Sequence, residues 1–163
     1  MDTAPFHRGR RLRRTPGLRA LVRENFLRAE DLIMPYFVAE AAADFEKPIS
    51  AMPGVSQLGL KKLEKQVGAA MKHGLAAVIL FGIPKKKDLK GSGAWAADGA
   101  VQNAIAHLKD RFPGLTVITD VCLCEYTSHG HCGVIRKGDK VGRVVNDETL
   151  ELLARTALAH GEA

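Results

Sequence analysis

Leu115–Gly133 reads LTVITDVCLCEYTSHGHCG, and the chain changes character inside it. LTVITDV is rich in β-branched residues, the composition of a buried strand. It runs directly into the only cysteines of the chain, Cys122, Cys124 and Cys132, with His129 and His131 ahead of the last. Alternate residues of an extended chain share a face, so Asp120, Cys122 and Cys124 are expected to project together where the strand ends. The short loop would bring Cys132 back to them. Soft thiolates favour zinc, and three sulfurs leave a tetrahedral ion one open position, as in catalytic sites. An isolated free cysteine is commonly just a small buried hydrophobe. Three cysteines within eleven residues, interleaved with His and Gly, point instead to a metal site. His131 is a further candidate ligand. His129 and His131 also fit a substrate contact, a group supporting the ligands, or an ordinary loop histidine. Asp120 can orient a ligand or a substrate amine, or can simply cap the loop.

Outward from this stretch the pattern is βα. Upstream, residues 98–111 read as an amphipathic helix with Val101, Ile105, Leu108 and Phe112 inward, ended by Pro113-Gly114. Before it, LAAVILFG (75–82) is expected to be a fully buried strand, apolar on both faces, as parallel strands are. Residues 60–73 form another helix, with Leu60, Leu63, Val67, Ala70 and Met71 in one stripe and Gly74 as its stop. LIMPYFV (32–38) is a short strand weakened by Pro35, and MPGV (52–55) marks a turn. Downstream, GVIRKGDKVGRVV (133–145) reads as a small hairpin turning at Gly138-Asp139. Asn146 is the expected cap of a last helix whose inward face would be Leu150, Leu153, Ala157 and Leu158. Alternating strands and helices give an α/β fold with a parallel sheet, of which about three βα units are visible.

The segment IPKKKDLKGSGAWAADG (83–99) follows the second strand on the same end as the cysteines. Its GSGAWA formally fits GxGxxA, but the glycines lie several residues beyond the strand, and a dinucleotide fingerprint needs them in the strand–helix turn itself. A mobile active-site loop is the better reading. Lys85, Lys86, Lys87 and Lys90 read as a solvated face, with nothing apolar around them to lower an amine pKa.

Together these stretches resemble the zinc-dependent porphobilinogen synthases, or 5-aminolevulinate dehydratases. TDVCLCEYTSHGHCG resembles that family's zinc-binding segment. RRLRRTPGLRALVREN (10–25) resembles its N-terminal arm. LIMPYFV, MPGV, FGIPKKKDLKGSGAW (81–95) and DGAVQNAIAHLKDRFPGLTVITD (98–120) resemble its successive segments, in order. The chain is about half the family's length. The resemblance implies the first three units of a (β/α)8 TIM barrel over residues 31–163, preceded by an arm over 1–30. It implies zinc on Cys122, Cys124 and Cys132, and condensation of two 5-aminolevulinate molecules to porphobilinogen, a lyase reaction of tetrapyrrole synthesis. It also implies a homo-oligomer, an octamer, in which the arm wraps a neighbouring subunit. The family's two Schiff-base lysines belong to the second half and have no matching position here, so these residues alone are expected to be inactive. In such barrels the chemistry sits at the C-terminal strand ends, where Asp120, Cys122 and Cys124 fall.

Charge separates the arm from the rest. Residues 1–28 hold eight arginines against Asp2 and Glu24, which equals the net +6 of the whole chain; the remaining Lys and Arg balance the remaining acids. Leu18, Leu21 and Val22 give a short helix there an apolar stripe, suited to a subunit clasp. The alternative is a small zinc-binding regulator that contacts nucleic acid through this arm, with His129 or His131 closing the site. Only Phe6 and Phe26 could stack on bases, so nucleic acid is the weaker reading. A dithiol redox protein is weaker still, because the third cysteine has no role in it. No apolar run is long enough for a membrane span, and no signal-peptide core precedes the arm. Clustered, odd-numbered cysteines argue against a disulfide framework and for a reducing cytoplasm.

Overall fold

The computed structural model describes residues 9–136, 138 and 142–163. Its centre is a five-stranded sheet in the order β2 (Glu46–Pro48), β3 (Ser56–Leu58), β1 (Ile33–Ala39), β4 (Ala77–Ile83), β5 (Thr116–Thr119). Strands β1 (Ile33–Ala39), β4 (Ala77–Ile83) and β5 (Thr116–Thr119) are neighbours and run parallel, joined through α2 (Leu60–Met71) and α3 (Ala100–Arg111). Pro35 is accommodated because β3 (Ser56–Leu58) pairs with β1 only at Phe37 and Val38, leaving no strand beside Pro35 on that side.

Two strands were not expected. β2 (Glu46–Pro48) pairs antiparallel with β3, and the turn between them is MPGV. Val55 N–H returns to the Met52 carbonyl at 3.0 Å, and Gly54 takes φ 82°, as the third residue of a Pro-Gly turn requires. EKP and SQL are too short and polar to show a period, so this hairpin leaves no hydropathy signal.

The core lies on one side of the sheet. Val38, Val78 and Leu80 point into it and are fully buried against Leu63 and Val67 of α2 and Val101, Ala104 and Leu108 of α3. The expectation that the second strand is buried on both faces is corrected here. In β4 buried Val78, Leu80 and Gly82 alternate with half-buried Ala77, Ile79, Phe81 and Ile83. The latter share a face with Pro35, Phe37 and Ile118, and no helix among the described residues packs on it.

The last helix, α4 (Asn146–Gly161), departs from its expected face. Thr149, Leu152, Thr156 and His160 are buried, whereas Leu150 and Leu158 are 56% and 62% exposed. The threonines can face inward because their hydroxyls bond back to the preceding turn, Thr149 to the Val145 carbonyl and Thr156 to the Leu152 carbonyl. Asn146 is not the cap: Val145 holds that position, and the Asn146 amide donates to Asp147 instead. The flanks of the preceding hairpin are paired, Ile135 opposite Val144, while its expected turn at Gly138-Asp139 falls partly outside the described residues. In the arm, α1 (Pro16–Leu21) starts at Thr15, whose hydroxyl accepts the Leu18 N–H at 3.1 Å. Of its stripe Leu18 is half-buried, whereas Val22 is exposed and Leu21 is 83% exposed. No helix among the described residues is long and apolar enough to cross a membrane.

Candidate metal centre

β5 ends at Thr119, and one more ladder bond, Asp120 N–H to the Leu80 carbonyl at 3.2 Å, carries Asp120 beyond it. The chain does not stay extended through CLC, as the spacing had suggested. It curls at Leu123, whose carbonyl accepts the N–H groups of Tyr126 and Thr127 at 3.0 and 2.9 Å. Leu123 is fully buried in a second small core with Ala94, Tyr126 and Leu152, edged by Trp95 and Val134. Anchoring that one side chain leaves Cys122 and Cys124 on its other side, with their Sγ atoms 3.4 Å apart.

Cys132 closes the group. The Thr127 hydroxyl donates to the His131 carbonyl at 2.9 Å, folding the chain back. Beyond the cysteine, Gly133 lies so close to Thr149 of α4 that any Cβ there would collide with it, and Val134 N–H donates to the Thr149 hydroxyl at 3.0 Å. The result is three Sγ atoms all within 4.8 Å of one another. Zinc–sulfur bonds of about 2.3 Å at tetrahedral angles put sulfurs roughly 3.8 Å apart, so a trio with one gap of 3.4 Å and none above 4.8 Å needs only small adjustments to hold such an ion.

Burial, then the neighbouring Cys122, pushes the Cys124 thiol up to about 12, and Cys122 also raises the Cys132 thiol. A metal entering the group must therefore displace protons from sulfurs that hold them tightly. Two further polar groups stand alongside that residue spacing did not single out. Burial, reinforced by the Asp120 charge, pushes the Glu125 carboxyl up to about 7. Tyr126 is buried, with its hydroxyl against Gly82 of β4. Only the fold brings Gly82 and Tyr126 together, and no local signal announces it.

His131 stands outside the sulfur group. Its exposed ring is tilted against His129 at 5.6 Å between centroids and lies over Gly142. His129 Nδ1 accepts the His131 N–H at 3.2 Å, so its Nε2 carries the hydrogen that meets the Leu89 carbonyl at 3.1 Å. In the lysine loop, Asp88 forms a parallel bridge with Thr127. Lys85, Lys86, Lys87 and Lys90 are exposed, as expected.

The family model for delta-aminolevulinic acid dehydratase matches residues 6–163, nearly the whole chain and its arm included. The chain belongs to the delta-aminolevulinic acid dehydratase family. It is 48% identical over 159 residues to the dehydratase of Synechocystis sp., covering 98% of this chain and 48% of that one. Against the dehydratase of Archaeoglobus fulgidus it is 44% identical over 163 residues, or 49% of that protein. The crystal structure of the Toxoplasma gondii dehydratase, in complex with its reaction product porphobilinogen, superposes with a TM-score of 0.89 at 35% identity, over 97% of this chain and 45% of that one. The chain thus spans about half the length of the dehydratases it matches. Membership that runs through the arginine-rich segment sets aside the nucleic-acid regulator and the redox protein.

Proposed function

We propose that this chain supplies the metal-binding part of a porphobilinogen synthase, a lyase that condenses two 5-aminolevulinate molecules to porphobilinogen. The observation that carries the reading is the convergence of Cys122, Cys124 and Cys132 within 4.8 Å, in a chain that belongs to the dehydratase family. On this reading the sheet is the opening three βα units of a (β/α)8 barrel over residues 31–163. Its half-exposed face with Ile79, Phe81 and Ile118 is then the barrel interior. Residues 1–30 form an arm that clasps a neighbouring subunit of a homo-oligomer, an octamer by family likeness, and the exposed Leu21 and Val22 suit that use. The enzyme works in the cytoplasm, where thiolate ligands stay reduced.

The three thiolates would hold zinc, which when bound offers an open position that polarises a carbonyl or an amine. Asp120 continues the inward face of β5 and would orient a cationic substrate amine beside the sulfurs. The family's Schiff-base lysines have no matching positions in these residues, so the 163 residues alone do not turn substrate over. His131 would serve the loop rather than the ion.

Zinc content of the reduced chain, read against Cys124→Ala, tests the metal assignment. About one zinc per chain, lost in the variant, is expected. Well-folded protein without zinc would refute it, and porphobilinogen formed by the 163 residues alone would refute their inactivity.

A further inference from the structure

We propose that Asp88 is a positioning residue for the cysteine trio, clamping the lysine loop onto the segment that carries Cys132, so that metal binding and the order of this loop reinforce each other. The proposal rests on the metal-centre reading above.

Asp88 is joined to the cysteine segment through its backbone. Its N–H donates to the Tyr126 carbonyl at 3.2 Å, and its carbonyl accepts the Ser128 N–H at 2.8 Å. One residue on, the Leu89 carbonyl meets His129 Nε2. The Asp88 side chain holds the loop in the shape that permits this docking. Its Oδ1 accepts the N–H groups of Lys90 and Gly91 at 2.8 and 2.6 Å, and its carboxylate also takes the N–H and hydroxyl of Ser92. Gly91 completes the turn at φ 74°, where a Cβ would press on Thr127 and Tyr126 at 3.2 Å.

Residues 126–129, which receive these contacts, lie between Cys124 and Cys132. Their path decides where the Cys132 Sγ stands relative to the other two. A free loop would lose entropy each time three sulfurs gathered on an ion, and a loop already fixed loses less. Asp88 therefore supports affinity without touching metal. Coupling is reciprocal, so metal must tighten the lysine loop by the factor that the clamp tightens metal.

Zinc affinity is measured by competition with a chromophoric chelator, and loop order by trypsin cleavage after Lys85, Lys86, Lys87 and Lys90, with and without zinc. In the unaltered chain zinc should slow this cleavage several-fold. Asp88→Ala should weaken zinc roughly ten-fold, the usual effect of losing a group that orients a ligand. It should also abolish the zinc-dependent protection. Asp88→Asn keeps an acceptor oxygen and should restore most of both. Equal affinity in Asp88→Ala, or cleavage indifferent to zinc in the unaltered chain, overturns the proposal while the metal centre stands. No zinc uptake by the unaltered chain overturns both. If circular dichroism shows Asp88→Ala unfolded, Ser92→Ala is read instead. It removes one carboxylate partner and should shift both readouts in the same direction by less; no shift overturns the clamp.

Discussion

Gly82 and Tyr126 show how closely the cysteine segment is fitted to the sheet. A Cβ on Gly82 would lie 1.9 Å from the Tyr126 hydroxyl oxygen, 2.8 Å from its ring and 2.9 Å from Val101, all of them in packed surroundings. Gly82→Ala should therefore destabilise the chain by about 1–3 kcal/mol through overpacking, seen as a lower urea midpoint. Tyr126→Phe in the same chain removes the worst contact and should recover part of the loss. A double variant no better than Gly82→Ala alone would show that Val101, not the tyrosine, sets the limit. The cysteines were legible in the sequence because their chemistry is carried by residue type and spacing. The Gly82–Tyr126 fit was not, since it joins a strand to a loop far along the chain. Leu123 lies between these cases: its apolar character was plain, but its role in turning two cysteines to one side depends on the second core.

The start of helix α4 was placed within a residue by its sequence, yet its inward face was misassigned. Hydropathy counts Thr149 and Thr156 as polar, although each hydroxyl is satisfied by its own helix and can be buried. Leu152→Ala should cost about 2–4 kcal/mol, whereas Leu150→Ser should change stability by under about 1 kcal/mol. Equal losses in denaturant titration would contradict the observed face. The same helix carries His160, whose Nδ1 pairs with the Thr119 hydroxyl at 3.1 Å while its buried Nε2 has no partner among the described residues. Burial lowers its pKa below the ordinary 6.5, and the Asp120 charge opposes this only in part. The unfolded chain therefore takes up the proton first as pH falls below 6.5, and stability declines with it. Above that pH the group contributes no slope. His160→Gln should remove this acid-side loss, so the gap between urea midpoints of variant and unaltered chain should change between about pH 7.5 and 5. Glu125, with its raised pKa, slopes the other way in both proteins and cancels from that comparison. A gap that stays constant with pH would show His160 equally protonated in both states.

Across the whole molecule the two faces of one sheet meet different surroundings. Neighbouring residues of β4 divide sharply, Leu80 fully buried against the helices and Ile79 half-buried on the other side. The open face also carries Phe37 stacked on Phe81 at 5.3 Å between centroids, with Pro35 and Ile118 beside them. Parallel α/β sheets are ordinarily covered on both sides, which made two-sided burial the natural reading of LAAVILFG. The apolar residues were legible; what covers them was not, since one face of this sheet meets no helix among the described residues. An apolar face of this kind drives association. The isolated chain should self-associate with rising concentration in sedimentation velocity and bind a hydrophobic dye. Ile79→Lys should weaken both effects while leaving the circular dichroism spectrum intact, because the new ammonium reaches water. Leu80→Lys, one residue away, should unfold the chain, since its charge would enter the core without a partner. Unfolding by both substitutions would mean that the face around Ile79 is covered in solution. Dye binding unaltered by Ile79→Lys would place the sticky surface elsewhere, on the arm or on the Leu150 side of α4.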